Sequence, residues 1–500
     1  MRSRFPARWN LLSGQDSDVR CRGTREEAAA RVSRRSRGSL SVGIAAAALS
    51  MALASVVHAA SVPDIPLPDA ARAAFLRSKV GFFVHYVWPG RRGLTCRPDG
   101  SYPESLDELA RGFDVPRFVD DIASWETEYL IFTAWHANIN PLFPSETMKK
   151  WGLPGHVCPR DLLREIIDAC KARGIAVVLY THPRDGFDLP VEDRIKTGWG
   201  AGTGAQGGNP DWSQFDYPKW NEFTNDLYAE LTERYGKDIV GLFLDEGSSA
   251  GDSHRVVDYP RLRHTIKSRA PHLVLLQNDY GTRYSCDVGV KEYHHWQQFE
   301  NRDGGAWPAW DIPVAAPFAT TWWAAKPIHA PRTVVYSAED MFRYTVLQAG
   351  ANTQGGGMQW AAGPYVGGGW EPGVAETLRQ FAAYLKPVAS SIRGTVASAA
   401  FPTQKGAALK NIGWGVRAVD WGVATDAPDG SVTYLHVLNP PRSKRLRIGM
   451  PYNGKRFSKA STVPDGHPVS LELDPAGYVV TLPDSLEWNP VHTAIRMEVQ

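Results

Sequence analysis

From Lys79 onward the chain alternates short apolar runs with stretches whose apolar residues recur at helical spacing. The first run, Val80-Gly81-Phe82-Phe83-Val84-His85-Tyr86, predicts a buried strand with a polar residue close to its C-terminal end. Phe118, Ile122 and Trp125 then mark a helix that leads into a strand at Tyr129–Thr133, which exits at Trp135-His136. Residues 160–173 place Leu163, Ile166, Ile167 and Cys170 on one helical face, stop at Gly174 and pass into a strand at 175–180. A longer helix over Tyr217–Tyr235 carries a stripe of Trp220, Phe223, Leu227 and Leu231. The strand after it, 239–244, ends in Asp245-Glu246-Gly247, and residues 273–277 predict the next one.

Strand, helix and strand repeat over about 320 residues, with polar and carboxylate groups gathered at the strand ends. This predicts an α/β fold, a (β/α)8 TIM-type barrel, with a doubly wound sheet as the alternative. A dinucleotide-binding sheet should carry a Gly-rich turn after its first strand, and none is there. The segment Gly202-Thr203-Gly204-Ala205-Gln206-Gly207 has the G-x-G-x-x-G spacing, but no strand directly precedes it, so it reads as a chance match in a surface loop. Beyond Thr395, alternating runs at 431–438 and 477–482 predict a C-terminal β-sandwich. The expected organisation is a leader at 1–59, a barrel at 60–395 and a β-sandwich at 396–500.

The leader expectation rests on an Arg-rich segment, an uncharged run from Leu40 to Val57 and small residues at Val57-His58-Ala59. This is a secretory signal pattern with a long basic part, and Ser33-Arg34-Arg35 only weakly resembles a twin-arginine motif. Retention of the run as a membrane anchor is the alternative. The reading implies export to the periplasm or the medium, with no stable membrane insertion after cleavage.

Ten of the 55 basic side chains but only four of the 53 acidic ones lie in the first 59 residues, so residues 60–500 carry a net charge of −4. With no run of Lys and Arg in that body, nucleic acid is not an expected partner. Tryptophan equals tyrosine and phenylalanine at 18 each, a supply that suits flat ligands such as sugars or simply fills a large core. Outside the leader, Cys96, Cys158, Cys170 and Cys286 are compatible with zero, one or two disulfides, and the absence of C-x-x-C gives a structural zinc site no support.

Asp245 is the strongest candidate for chemistry, because a charge ending an apolar strand has no packing reason to be there and barrel enzymes place catalytic groups at that position. The plain alternative is a carboxylate capping the next loop. Glu246 points to the opposite side of the pleat if the strand persists. Retaining hydrolysis of a glycoside would need a second carboxyl about 5 to 5.5 Å away as proton donor. His294-His295 invites a metal reading, but adjacent strand residues face opposite ways and no carboxylate cluster surrounds them, so neither metal nor cofactor is expected.

These segments resemble the family 29 glycoside hydrolases, retaining exo-acting α-L-fucosidases with a barrel and a β-sandwich. Lys79 to His85 resembles the family's opening strand and sugar-binding histidine, Glu128 to His136 its second strand, and Arg160 to Tyr180 its next helix and strand. Gly241-Leu242-Phe243-Leu244-Asp245-Glu246-Gly247 resembles its nucleophile strand, and residues 371–395 resemble the end of its catalytic domain. The resemblance implies Asp245 as nucleophile and Glu292 as acid/base, with Glu300 and Asp311 as nearby competitors. It further implies that His85 and His136 bind sugar hydroxyls and that Tyr180, Trp88 and Trp322 line the pocket. Two departures stand out: His136-Ala137-Asn138 replaces the family's paired histidines and aspartate, and Asn278-Asp279-Tyr280 offers Tyr280 where an arginine is common. A site that discriminates through hydrogen bonds to particular hydroxyls changes its preference when those groups change. An oligosaccharide or glycoconjugate is therefore the expected substrate, with an α-L-fucoside first. A different sugar on the same frame, or a carbohydrate-binding relative without catalysis, are the other readings.

Overall fold

The computed structural model describes residues 63–500 apart from 89–94, 137, 185, 187–188, 203–211, 246–255, 279–285, 293–308, 314–324, 330–333, 335, 353–354 and 403–420. For residues 278, 291–292 and 309–313 it describes the backbone alone. The expected leader, residues 1–59, lies outside the described residues.

Eight parallel strands pair in chain order: β1 (Val80–Val84), β2 (Tyr129–Thr133), β3 (Ala176–Thr181), β4 (Gly241–Leu244), β5 (Val274–Asn278), β6 (Val288–Glu292), β7 (Ala309–Pro313) and β8 (Met358–Ala361). β8 returns to pair with β1, from Val80 beside Met358 to Phe83 beside Ala361, so the sheet curls round on itself. Around it pack helices α1 (Asp69–Arg77), α2 (Val115–Ser124), α3 (Leu162–Ala172), α4 (Tyr217–Tyr235), α5 (Tyr259–Lys267), α6 (Ala338–Ala351) and α7 (Val374–Leu385). Among the described residues β5, β6 and β7 follow one another with no helix between them, so the strand and helix alternation is regular only through the first four strands and α5.

Local chemistry starts these helices. Asp114, Asp161, Asp216 and Asp258 each accept a hydrogen bond from the backbone N–H three residues on, closing the N-termini of α2, α3, α4 and α5. Three of them precede a proline two residues later, Pro116, Pro218 and Pro260, in the first turn, where a missing N–H costs nothing. The stripes read from the sequence are the buried ones: Phe118 and Ile122 on α2, Leu163, Ile166, Ile167 and Cys170 on α3, and Trp220, Phe223, Leu227 and Leu231 on α4.

Because strand side chains alternate, each strand feeds two cores. Phe82, Val84, Leu130, Phe132, Val177, Leu179, Leu242 and Leu244 face the helices, while Phe83, Ile131, Val178, Tyr180, Phe243, Leu276, Val290 and Ala361 fill the barrel interior. At the floor, a Cβ on Gly81 would lie 2.4 Å from the Tyr129 ring, so only glycine lets that ring occupy the interior. Phe75 of α1 packs on Tyr129 from below, with ring centroids 5.2 Å apart. The lead-in before α1 is tied down by Arg263 of α5, which donates to Asp64 Oδ1 at 2.7 Å and the Ile65 carbonyl at 3.0 Å and also pairs with buried Asp287.

A second sheet begins at Val396. It is antiparallel, with strands β9 (Val396–Ala397), β10 (Gly422–Asp426), β11 (Val432–Val437), β12 (Arg445–Ile448), β13 (Phe457–Val463), β14 (Pro468–Asp474), β15 (Gly477–Thr481) and β16 (Thr493–Val499) in the order β12-β15-β14-β13-β16-β11-β10-β9. The expected sandwich is thus one continuous sheet. β13 and β14 pair at only two positions, and residues from both sides of that joint, Leu446 and Val480 with Leu435 and Ile495, enter one core. Arg343 of α6 fastens this sheet to the barrel by donating to the carbonyls of Leu438 (2.8 Å), Pro490 (3.1 Å) and Val491 (3.1 Å).

Candidate active site

The C-terminal ends of β1 to β4 bring one set of polar side chains together. Strand register places Thr133 beside Tyr180 and Tyr180 beside Phe243, and the Asp245 N–H donates to the Thr181 carbonyl at 3.0 Å. Alternation then puts His85, Thr133, Tyr180 and Asp245 two residues beyond interior residues Phe83, Ile131, Val178 and Phe243, on the face that opens at the barrel mouth.

The Tyr180 hydroxyl donates a hydrogen bond to Asp245 Oδ2. His182 Nε2 lies 3.9 Å from the same oxygen. The His136 ring stacks on Tyr180 (centroids 5.7 Å apart, 18° between planes) and lies 5.0 Å from the His182 ring. His85 meets Tyr180 and His136 edge-on at 4.5 and 5.1 Å. A carboxylate is thereby surrounded by a phenol and imidazoles, all buried except for partial exposure of Asp245.

The protonation pattern of His85 follows from its neighbour. Thr133 Oγ1 donates its one proton to the Val84 carbonyl at 2.9 Å, so at its 2.9 Å contact with His85 it accepts from Nδ1–H. Nε2 is then the ring's lone-pair acceptor. Burial, followed by the nearby His136 and His182, holds the His85 imidazole well below its ordinary pKa, so it is neutral. A neutral imidazole in this form can accept a hydrogen bond from a hydroxyl.

A layer beneath fixes these groups. Thr181 Oγ1 donates to the Phe243 carbonyl (2.8 Å) and accepts from Tyr228 of α4 (2.7 Å). Burial raises the Tyr228 hydroxyl well above its usual pKa, which keeps it a donor. Its ring packs edge-on against Trp135, whose indole N–H donates to the His182 carbonyl at 3.4 Å.

Of the residues singled out in the sequence, His85, His136, Tyr180 and Asp245 converge. Trp88 lies on the loop after β1. Its indole N–H donates to the Pro103 carbonyl at 3.3 Å, and its own carbonyl accepts from Asn138 Nδ2. Glu292 is the last residue of β6, its backbone in register with Asp311 of β7, and the side chains of both lie outside the described residues. Ala137, Glu246, Tyr280, His294, His295, Glu300 and Trp322 also lie outside the described residues.

Sequence reasoning missed His182, Thr133 and Tyr228. His182 was within reach of the alternation rule, because it stands two residues past Tyr180 and shares its face. The structure also groups ligand atoms of His136, His182 and Asp245 within 4.8 Å of one another, a set of two imidazoles and a carboxylate that could hold a metal ion. The 3.9 Å from His182 Nε2 to Asp245 Oδ2 is wider than the roughly 3.3 Å between ligands on a tetrahedral zinc, so side chains would have to shift to bind one.

The family model for alpha-L-fucosidase matches residues 97–388, more than half of the chain and the part that holds His136, Tyr180, Asp245 and Glu292. The chain belongs to the α-L-fucosidase family. It is a glycoside hydrolase. No curated protein matches it in sequence.

Solved α-L-fucosidases share its fold at low identity. An enzyme of glycoside hydrolase family 29 from Bacteroides thetaiotaomicron, solved as a trapped covalent intermediate, is 18% identical and superposes with a TM-score of 0.61 over 88% of this chain and 98% of its own. Isoenzyme 1 from Paenibacillus thiaminolyticus is also 18% identical, with a TM-score of 0.59 over 86% and 100%. The Thermotoga maritima α-fucosidase, in complex with a mechanism-based inhibitor, is 15% identical, with a TM-score of 0.55 over 87% and 97%. The likeness extends past the matched segment, since most of each chain is covered.

Proposed function

We infer that the protein is an exported, retaining exo-α-L-fucosidase acting on an oligosaccharide or glycoconjugate, built on a (β/α)8-type frame. In the first step an oxygen of Asp245 attacks the anomeric carbon and the glycosidic bond breaks, while the Glu292 carboxyl gives its proton to the departing oxygen. In the second step Glu292 takes a proton from water, whose oxygen attacks the same carbon and releases Asp245. His85, His136 and Tyr180 orient the sugar by hydrogen bonds to its hydroxyls, and Trp88, Tyr280 and Trp322 are assigned to the pocket wall. The leader at 1–59 directs export to the periplasm or the medium, residues 60–395 form the catalytic domain and 396–500 the β domain.

One observation carries this reading: a carboxylate at a barrel strand end accepts a hydrogen bond from a phenol, with the imidazoles of His85, His136 and His182 gathered around the two. Such a setting holds and orients the carboxylate at the mouth of the strands, as a nucleophile requires. The family's activity supplies the sugar. The test is Asp245→Gly with an aryl α-L-fucoside: a loss of turnover by at least a thousandfold is expected, and unchanged turnover removes the nucleophile.

A second reading, a retaining glycosidase for another sugar, draws on Ala137 and Tyr280, which differ from the family pattern, and on His182 beside Asp245. Hydrolysis of another aryl glycoside in preference to the α-L-fucoside would establish it.

A further inference from the structure

A cleft of about 310 Å3 lies where α6 and α7 meet the β domain, a volume at the lower end of small-molecule sites. Phe342 of α6 and Tyr384 of α7 form one side of it. The turn between β13 and β14 and the segment that leads into β16 form the other. None of the described residues around Asp245 lines it.

His492, 7% exposed, is part of its wall. The proton on this ring follows from a chain of hydrogen bonds. Thr425 Oγ1 gives its proton to the Ser391 carbonyl, so His436 Nε2–H donates to Thr425, and His436 Nδ1 accepts from His492 Nε2–H. His492 Nδ1 is left as a lone-pair acceptor, and it makes no hydrogen bond among the described residues. Burial, then His436 and then Arg343 hold the ring well below its ordinary pKa, so it is neutral. An unused acceptor on a buried ring at the wall of a cleft is matched by a donor from a ligand.

The other walls narrow the chemistry. Asp465, on the turn between β13 and β14, adds carboxylate oxygens, which accept and do not donate. A cation is a poor match, because Arg343 already opposes positive charge at His492 and Lys444 already pairs with Glu487. Tyr384 is 39% exposed and stacks on Phe342, with ring centroids 5.7 Å apart and 23° between planes, which gives the cleft an aromatic wall. A neutral molecule that carries several hydroxyls and a face of C–H groups meets all three demands, and a saccharide is such a molecule.

We propose that this cleft is a saccharide-binding site separate from the active site. Sugar hydroxyls donate to His492 Nδ1 and to the Asp465 carboxylate, and the C–H face of the ring packs on Tyr384. A glycan held here keeps the rest of the same glycoconjugate close to the enzyme. The choice of a saccharide draws support from the glycosidase reading above, whereas the test does not pass through catalysis.

The experiment titrates the full chain with the methyl glycosides of L-fucose, D-galactose, D-glucose and N-acetyl-D-glucosamine. Binding is followed by calorimetry and by the 15N resonance of His492 Nδ1 in histidine-labelled protein. At least one glycoside is expected to bind saturably, with a Kd on the order of 1 mM, and to shift that resonance. Tyr384→Ala and Asp465→Asn, both at exposed positions, should each weaken this binding about tenfold, the loss of one contact of about 1.4 kcal/mol. Asp245→Gly should retain it. No saturable binding of any of these glycosides up to about 20 mM would overturn the proposal. So would binding that both cleft variants keep, that leaves the Nδ1 resonance in place, or that Asp245→Gly abolishes. Failure of the functional reading is distinguishable, because the wild type would then leave an aryl α-L-fucoside intact while glycoside binding and its loss in the cleft variants persist.

Discussion

The Tyr180 hydroxyl on β3 donates a hydrogen bond to Oδ2 of Asp245 at the end of β4. The two residues are 65 apart in sequence, and only the β3–β4 register brings them together. Hydrogen bonds to charged groups contribute about 1.5–3 kcal/mol. Tyr180→Phe keeps the ring that packs between His85 and His136 and removes the donor. We expect kcat/KM on an aryl fucoside to fall about 10- to 100-fold with thermal stability nearly unchanged. A variant as active as wild type would show that the bond has no part in catalysis.

Thr133 sets the proton on His85. Thr133→Val keeps the shape but leaves a buried Nδ1–H facing a methyl group, which costs about 1–3 kcal/mol and frees the ring to take its other neutral form. The expected outcome is a rise in KM of roughly tenfold with a smaller change in kcat. Unaltered kinetics together with an unaltered melting temperature would contradict the assignment of Nε2 as the sugar-facing acceptor.

The β domain holds a pH-sensitive chain of hydrogen bonds. Thr425 Oγ1 donates to the Ser391 carbonyl at 2.7 Å, so it accepts from His436 Nε2–H at 3.0 Å, and His436 Nδ1 then accepts from His492 Nε2–H at 3.0 Å. Adding a proton to His436 Nδ1 would set two N–H groups against each other. Burial draws His436 down to about 4, and burial with the nearby His436 and Arg343 draws His492 well below its ordinary value. An unfolded imidazole takes its proton near 6.5, so between there and about 4 the unfolded chain binds more protons than the folded one. The contribution is therefore complete above about pH 6.5 and is lost as pH falls towards 4, on the order of 3 kcal/mol for His436. Denaturant titrations from pH 7 to 4 should show this decline, and His436→Gln should flatten it. An equal slope in the variant would remove the pair as its source.

Much of the barrel was legible because its first four strands are apolar runs that end at a polar residue, and because the helices between them carry apolar stripes at helical spacing, such as Trp220, Phe223, Leu227 and Leu231. β6 and β7 were not. Val-Gly-Val-Lys-Glu and Ala-Trp-Asp-Ile-Pro mix glycine, proline and charge in five residues, and their strand form depends on parallel neighbours that periodicity does not contain. The single bent sheet after Val396 was hidden for a related reason, since alternation reveals a strand but says nothing of whether two halves stay joined at β13 and β14. In the site, Asp245 announced itself as a charge closing an apolar run. Tyr180 came in as a pocket residue through the family resemblance, but its hydrogen bond to Asp245 depends on the β3–β4 register, and Tyr228 joins only through the packing of α4 on the sheet.

The central claim is that Asp245 forms a bond to the sugar, and trapping that bond tests it most directly. Incubation of the active enzyme with 2-deoxy-2-fluoro-fucosyl fluoride, followed by proteolysis and mass mapping, should place one added sugar mass on the peptide that contains Asp245. An adduct on a different carboxylate, or full inactivation with Asp245 unmodified, would contradict the account.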